Sequence, residues 1–119
     1  MLSLKRIGEL ADNRQTYLRG VSAYNSGKIE EISRRPQRYY REFIDAVVRE
    51  NAALTHTVEI GLDDTDSVIY KSCDCSTFGR TGGVCKHIVA VLTHKYYADM
   101  LGGIPDQATN APTQSDTAV

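Results

Sequence analysis

The sequence predicts an α+β fold, in which N-terminal helices precede a small antiparallel sheet and a ββα-like knuckle that ends in a C-terminal helix. The first part of the chain has apolar residues at helical spacing, and the middle has apolar and polar residues in alternation. All three cysteines lie close together, the last of them two residues before a histidine. The length of 119 residues fits one domain, predicted at 1–101, followed by a disordered tail at 102–119.

Residues 1–27 are predicted to be a helical lead-in, with helices at 2–11 and 13–26. Asp12 is expected to cap the second helix, and Gly27 suits the left-handed position that ends it. Gly20 lies in the middle of this helix, where glycine costs about 1 kcal/mol relative to alanine. It either permits a close backbone approach or is a tolerated surface glycine, and both interpretations stay open.

Residues 28–72 are predicted to form strands. The first, at 28–33, ends before Pro36, which interrupts helices and strands alike. The segment 39–50 is ambiguous, because its apolar residues fit a helical stripe while Ile44, Ala46 and Val48 also alternate as in a strand. Periodicity alone favours a helix there, and the alternation favours a strand. Residues 54–62 alternate clearly, and a strand beginning at Val68 returns the chain to the first cysteine.

Cysteine and histidine residues form two closely spaced pairs between 73 and 87. Cys73 and Cys75 are separated by one residue, and after nine further residues Cys85 and His87 are separated in the same way. Zinc prefers thiolates and imidazole, and four such ligands complete a tetrahedron. The segment between the pairs contains three glycines and is predicted to be a loop that folds back. One Zn²⁺ per chain is therefore predicted at 73–87, followed by a helix to about residue 101.

Two other interpretations of the cysteines are weaker. Free cysteine is often a core residue, but core cysteines would rarely cluster as two pairs with none left over. A redox pair at Cys73 and Cys75 would leave Cys85 and His87 unexplained. His56 is interpreted as a satisfied strand histidine rather than as a fifth ligand.

The pattern C-x-C, a variable loop and C-x-H, followed by IVAVL, resembles the SWIM zinc finger. The upstream segment YLRGVSAYNSGKI resembles the one that precedes this finger at the N-terminus of bacterial Snf2-type ATPases. The resemblance covers roughly residues 14–97. It implies zinc binding and contact with DNA or protein within nucleic-acid machinery. The run into LTHTVEIGL also resembles the strand pair that precedes the zinc knuckle in this family, so we predict a strand at 39–50, with a helix as the alternative.

The net charge of −1 gives the chain no global attraction to nucleic acid, so any contact requires a local patch. Near the knuckle, Lys71 and Lys86 can offset the charge of the zinc thiolates, which leaves Arg80 and Lys95 for phosphate. A second group of arginines is interleaved with tyrosines, a composition suited to phosphate contact and base stacking. The alternative is a set of solvated turn arginines, which are common, and acidic Glu30, Glu31 and Glu42 lie close by. The residues predicted to contact nucleic acid are Arg34, Arg35, Arg38, Arg41, Arg80 and Lys95.

Several function classes lack their signatures in this sequence. The sequence lacks the deaminase motif, and no glutamate lies near the ligands along the chain. It also lacks the phosphate-binding loop of a catalytic ATPase. A non-enzymatic binding module is therefore predicted. The resemblance implies that it contacts DNA as part of or accessory to a Snf2-type ATPase, and the alternative is a protein-docking adaptor that makes no contact with nucleic acid. The chain also has no membrane-length apolar run and no apolar leader, so a cytoplasmic location is expected.

Overall fold

The computed structural model describes residues 2–107 of the chain. They form four helices and four strands, so the predicted α+β class is confirmed. In chain order the elements are α1 (Leu4–Leu10), α2 (Arg14–Asn25), β1 (Ile29–Arg35), β2 (Glu42–Asn51), β3 (Leu54–Leu62), β4 (Val68–Cys73), α3 (Ser76–Thr81) and α4 (Lys86–Asp99).

The strands form one antiparallel sheet in the order β1-β2-β3-β4. One face of the sheet supplies core residues in alternation from its two central strands. Ile44 pairs with Ile60 and Ala46 pairs with Val58, and all four are buried. Because successive side chains point to opposite faces, this alternation covers one face with apolar side chains. Helix α4 packs on the sheet and contributes Ile88 and Leu92 to the same core.

The ambiguous segment 39–50 is a strand from Glu42 onward, as predicted. Its helix-like pattern arises because Phe43 is buried on the face opposite Ile44. There the Phe43 ring contacts the rings of Tyr40 and Tyr70, and the Arg35 guanidinium lies 4.4 Å from its centroid. A strand that buries apolar residues on both faces can therefore show the same apolar spacing in its sequence as one side of a helix.

Helix α4 is the central element, because it lies between the sheet and the N-terminal helices. Eight of its residues are buried, as expected for a helix covered on more than one side. Gly20 of α2 lies against α4, where an added Cβ would be 2.3 Å from the Val89 side chain and 2.8 Å from the Lys86 carbonyl oxygen. The close-approach interpretation of Gly20 is therefore correct.

Two local predictions are wrong. Helix α2 is capped by Asn13 rather than Asp12, since the Asn13 Oδ1 accepts the Thr16 N–H at 2.8 Å. The segment between the two ligand pairs is not all loop, because it contains α3, which ends at Gly82 in the left-handed conformation. The glycines that suggested a loop include Gly79, which is tolerated within this short helix.

The predicted disorder from residue 102 is wrong for residues 102–107. Ile104 is buried in the core, and the Arg34 N–H donates to the Pro105 carbonyl oxygen at 3.0 Å. Asp106 lies beside Arg34 in a short parallel bridge. The remainder of the predicted tail, 108–119, lies outside the described residues. Among residues 2–107, none of the helices combines the length and apolar character needed to cross a membrane.

Candidate metal centre

The four predicted ligands converge from three elements. Cys73 is the last residue of β4, and Cys75 follows as the N-cap of α3. Cys85 is the N-cap of α4, and His87 lies in the first turn of that helix. The strand that begins at Val68 thus ends at the first cysteine, as predicted. Each ligand lies at or next to the end of a strand or helix, and the turns between these elements bring the four side chains together.

The geometry of the four side chains suits a tetrahedral ion. All four are buried, and their ligand atoms lie within 4.8 Å of one another. The His87 Nδ1 lies 3.7 Å from the Cys73 Sγ and 3.9 Å from the Cys85 Sγ. Zinc bonds of about 2.0–2.3 Å place tetrahedral ligand atoms about 3.5–3.8 Å apart, so the observed separations fit zinc. Cys73, Cys75, Cys85 and His87 therefore hold one Zn²⁺.

The thiols are crowded enough to compete for negative charge. A hydrogen bond from Cys73 to the Cys85 thiolate lowers the pKa of Cys85 to about 4 and raises the pKa of Cys73. Burial raises the pKa of Cys75, although its Sγ accepts the Phe78 N–H at 3.4 Å. Three thiolates at this spacing ionise together only when a cation neutralises them, which is what zinc supplies.

Glu50 fixes the orientation of the histidine ligand. Its Oε1 lies 2.8 Å from the His87 Nε2 and accepts the proton of that nitrogen, which leaves the Nδ1 lone pair facing the sulfurs. Carboxylates commonly hold zinc-bound histidines in this way. The Lys86 ammonium and then the His87 ring N–H keep the pKa of Glu50 below its usual range, so this carboxyl is ionised at neutral pH.

The expectation that no glutamate lies near the ligands is wrong. Glu50 is distant from them along the chain but contacts His87 in the fold. Its other oxygen accepts a hydrogen bond from the Lys86 Nζ at 3.0 Å. His56 lies alongside, with its ring 4.6 Å from the His87 ring and its Nδ1 2.9 Å from the Asp74 Oδ1. Glu50, His56 and His87 are also close enough to form a three-ligand group. In this arrangement, however, the His56 nitrogens face carboxylates, as expected for a satisfied histidine.

Residues 56–96, about a third of the chain, match the family model of the SWIM zinc finger. This segment contains all four ligands. The chain contains a SWIM zinc finger. The SWIM finger extends from β3 to α4, so Glu50, which orients His87, comes from outside the matched segment. The comparisons with curated proteins and with solved structures find no match.

Lys95 is not a surface cation, contrary to the prediction. It is only 3% exposed, and its Nζ lies 2.7 Å from the Glu42 Oε1 and 2.6 Å from the Asp99 Oδ2. The position follows from the central place of α4, which leaves little of the helix in contact with solvent. Lys95 therefore links α4 to β2 and has no free charge to offer to phosphate.

The predicted arginines fall into two kinds. Arg34 pairs with Asp106 at 2.7 Å, and Arg35 pairs with Asp45 at 2.6 Å and Glu59 at 3.3 Å. Within residues 2–107, no ion pair is formed by the other three predicted arginines, and all three are exposed. They are Arg38 and Arg41, between β1 and β2, and Arg80, in the last turn of α3.

Proposed function

We propose that this chain is a structural-zinc binding module that contacts DNA, as part of or accessory to a Snf2-type ATPase. The observation that carries the structural role is that four buried protein side chains supply all four tetrahedral positions. A closed zinc site of this kind stabilises the fold, whereas a catalytic zinc keeps one position for water or substrate.

The position of Glu50 supports a non-enzymatic role. A general base at a zinc site must reach the water bound to the metal. Glu50 instead contacts the His87 nitrogen that points away from the sulfurs, and Lys86 occupies its second oxygen. Its contribution is to hold a ligand.

DNA as the partner is supported by the resemblance of residues 17–29 to the segment that precedes SWIM fingers in bacterial Snf2-type ATPases. It is also supported by Arg80 in α3, which is exposed and has no carboxylate partner among the described residues. Guanidinium groups that are free of carboxylates can make paired hydrogen bonds to phosphate.

Protein docking is the second candidate function, and the end of α4 favours it. Met100 is 55% exposed and Leu101 is 88% exposed, next to the partly exposed Tyr97. Adjacent exposed apolar side chains are typical of protein contact sites. A module that used only this surface would act as an adaptor without touching nucleic acid.

Fluorescence anisotropy of the zinc-loaded protein with labelled single- and double-stranded oligonucleotides separates these functions. If the chain contacts DNA, we expect binding at micromolar protein and about 50 mM salt. The logarithm of affinity should then fall with the logarithm of salt by about 0.7–0.9 per phosphate contact, because each contact releases a counterion. Absence of binding to either form under these conditions would contradict DNA contact and leave protein docking.

A further inference from the structure

Two adjoining cavities form a groove on the zinc side of the molecule, here called the zinc-side groove. Their volumes are about 650 Å³ and 310 Å³, and they share Arg19, Glu50, Lys86 and His87. The larger cavity extends to Arg80 and α3, and the smaller extends along α2 to Lys28. The zinc ligands Cys75, Cys85 and His87 form part of its floor.

The lining of the zinc-side groove is strongly positive. It contains five cations and a single carboxylate in the part of the chain that the structure describes, although the whole chain has a net charge of −1. Lys86 pairs with that carboxylate, Glu50, and Arg49 pairs with Glu30. Arg19, Lys28 and Arg80 form no ion pair with any described residue. Three unpaired cations therefore exceed the charge of about −1 that a three-thiolate zinc centre brings.

We propose that the phosphodiester backbone of a nucleic acid lies in the zinc-side groove, where Arg19, Lys28 and Arg80 contact phosphates. This inference rests on the proposed function and assigns the surface through which it acts. Arg19 and Arg80 are exposed and Lys28 is half-buried. Cations arranged along a groove attract a polyanion, and binding releases the counterions condensed on it.

The rest of the lining favours nucleic acid over an acidic peptide. Hydroxyl and amide side chains surround the cations, among them Asn13, Gln15, Thr16, Ser22, Ser76 and Thr77. Such groups are frequent donors to phosphate and sugar oxygens. Leu54 is the one large aliphatic side chain in the described lining, whereas peptide grooves use several apolar anchors.

The arginines at the end of β1 and in the segment between β1 and β2 make a less positive surface. The cavity there is lined by Arg34, Arg35 and Arg41, but also by Glu42 and Asp106, which neutralise most of that charge. This cavity lies at the Glu42 end of β2, and the zinc-side groove lies at the Glu50 end. Eight residues of extended strand separate the two ends by about 25 Å, so the two surfaces can be tested independently.

The test compares two double variants that remove the same charge, Arg19→Ala with Arg80→Ala and Arg38→Ala with Arg41→Ala. Salt dependence of oligonucleotide binding is measured by anisotropy for both and for the unaltered protein. The groove variant should lower affinity on the order of tenfold at about 0.1 M salt and flatten the salt slope by about 1.4–1.8 for all sequences. The matched variant should leave the slope unchanged. Zinc content and circular dichroism check that each variant is folded. If the groove double variant folds poorly, the single variant Arg80→Ala replaces it, and the salt slope should then flatten by about 0.7–0.9.

Each other outcome overturns the inference. If only the Arg38 and Arg41 variant flattens the slope, DNA contact stands but the groove is not its site. Equal flattening by both variants would show a response to net charge alone. Groove-dependent binding of a poly-glutamate peptide without oligonucleotide binding would identify an acidic protein as the partner. If no ligand binds the unaltered protein, both the groove assignment and the DNA contact fail.

Discussion

At the scale of single residues, His87 is held from both of its ring nitrogens. The Nδ1 faces the sulfurs of Cys73 and Cys85, and the Nε2 donates to the ionised Glu50. A carboxylate at the far nitrogen fixes the tautomer and makes the ligating nitrogen more basic. Glu50 is itself held by Lys86, so the orientation of the ligand depends on a short chain of charged contacts.

Replacing Glu50 should weaken zinc binding without removing a ligand. We expect Glu50→Ala to lower zinc affinity by about 10- to 100-fold, since loss of the carboxylate frees the His87 ring. Competition with a chromophoric chelator measures this change. Glu50→Gln, which keeps an acceptor but no charge, should fall between Glu50→Ala and the unaltered protein.

Glu31→Ala is the matched control, because Glu31 is exposed and makes no ion pair among the described residues. Its zinc affinity should equal that of the unaltered protein. Unchanged affinity in Glu50→Ala would mean that the surrounding helix, rather than the carboxylate, orients His87.

The ligands were predictable from sequence, but their supporting residues were not. Cys73, Cys75, Cys85 and His87 lie within fifteen residues, so their spacing alone indicates a shared ion. The contact of Glu50 with His87 joins residues 37 positions apart, and it exists only because the end of β2 lies beside the start of α4. Burial of Lys95 likewise depends on what packs around α4, which local sequence does not state.

At the scale of elements, the approach of α2 to α4 depends on Gly20. A side chain at this position would overlap Val89 and the backbone of α4 at Lys86, next to His87. In an exposed helix, alanine is more favourable than glycine by about 1 kcal/mol. Here the steric overlap opposes that preference, because the backbone of α4 can move only if the zinc ligands in its first turn move as well.

We therefore expect Gly20→Ala to lower the free energy of unfolding by about 1–3 kcal/mol, the usual range for an overpacked site. Gly79→Ala is the matched change, because an added Cβ there meets no atom within 4 Å and its φ is not positive. It should be neutral or stabilising by up to about 1 kcal/mol. Urea denaturation of the zinc-loaded proteins measures both, and a Gly20→Ala protein as stable as Gly79→Ala would contradict the packing of α2 on α4.

Element types were predictable where one pattern dominated. Residues 54–62 alternate without interruption and form β3. The neighbouring segment 39–50 fits both the helical and the strand spacing, because Phe43 is covered on the outer face of the sheet by aromatic rings and Arg35. Helix α3 was missed because its six residues include a glycine and lack an apolar period.

At the scale of the whole molecule, the zinc centre joins elements that share one core. Buried residues from α1, β2, β3 and α4 belong to a single cluster, and Cys73, Cys75 and Cys85 are part of it. Binding of structural zinc supplies about 10–16 kcal/mol in small zinc-finger peptides, comparable to the net stability of an entire domain. Loss of the ion should therefore destabilise α4 together with the end of the sheet that carries Cys73.

The central claim is that these four residues hold one structural zinc, and the metal content of the purified protein tests it most directly. Inductively coupled plasma mass spectrometry, referenced to protein concentration, should give one zinc per chain. Cys75→Ser should lose most of that zinc, because a hydroxyl is a poor zinc ligand. Ser76→Ala, an exposed neighbouring position, should keep it. Zinc well below one equivalent in the unaltered protein, or undiminished zinc in Cys75→Ser, would contradict the account.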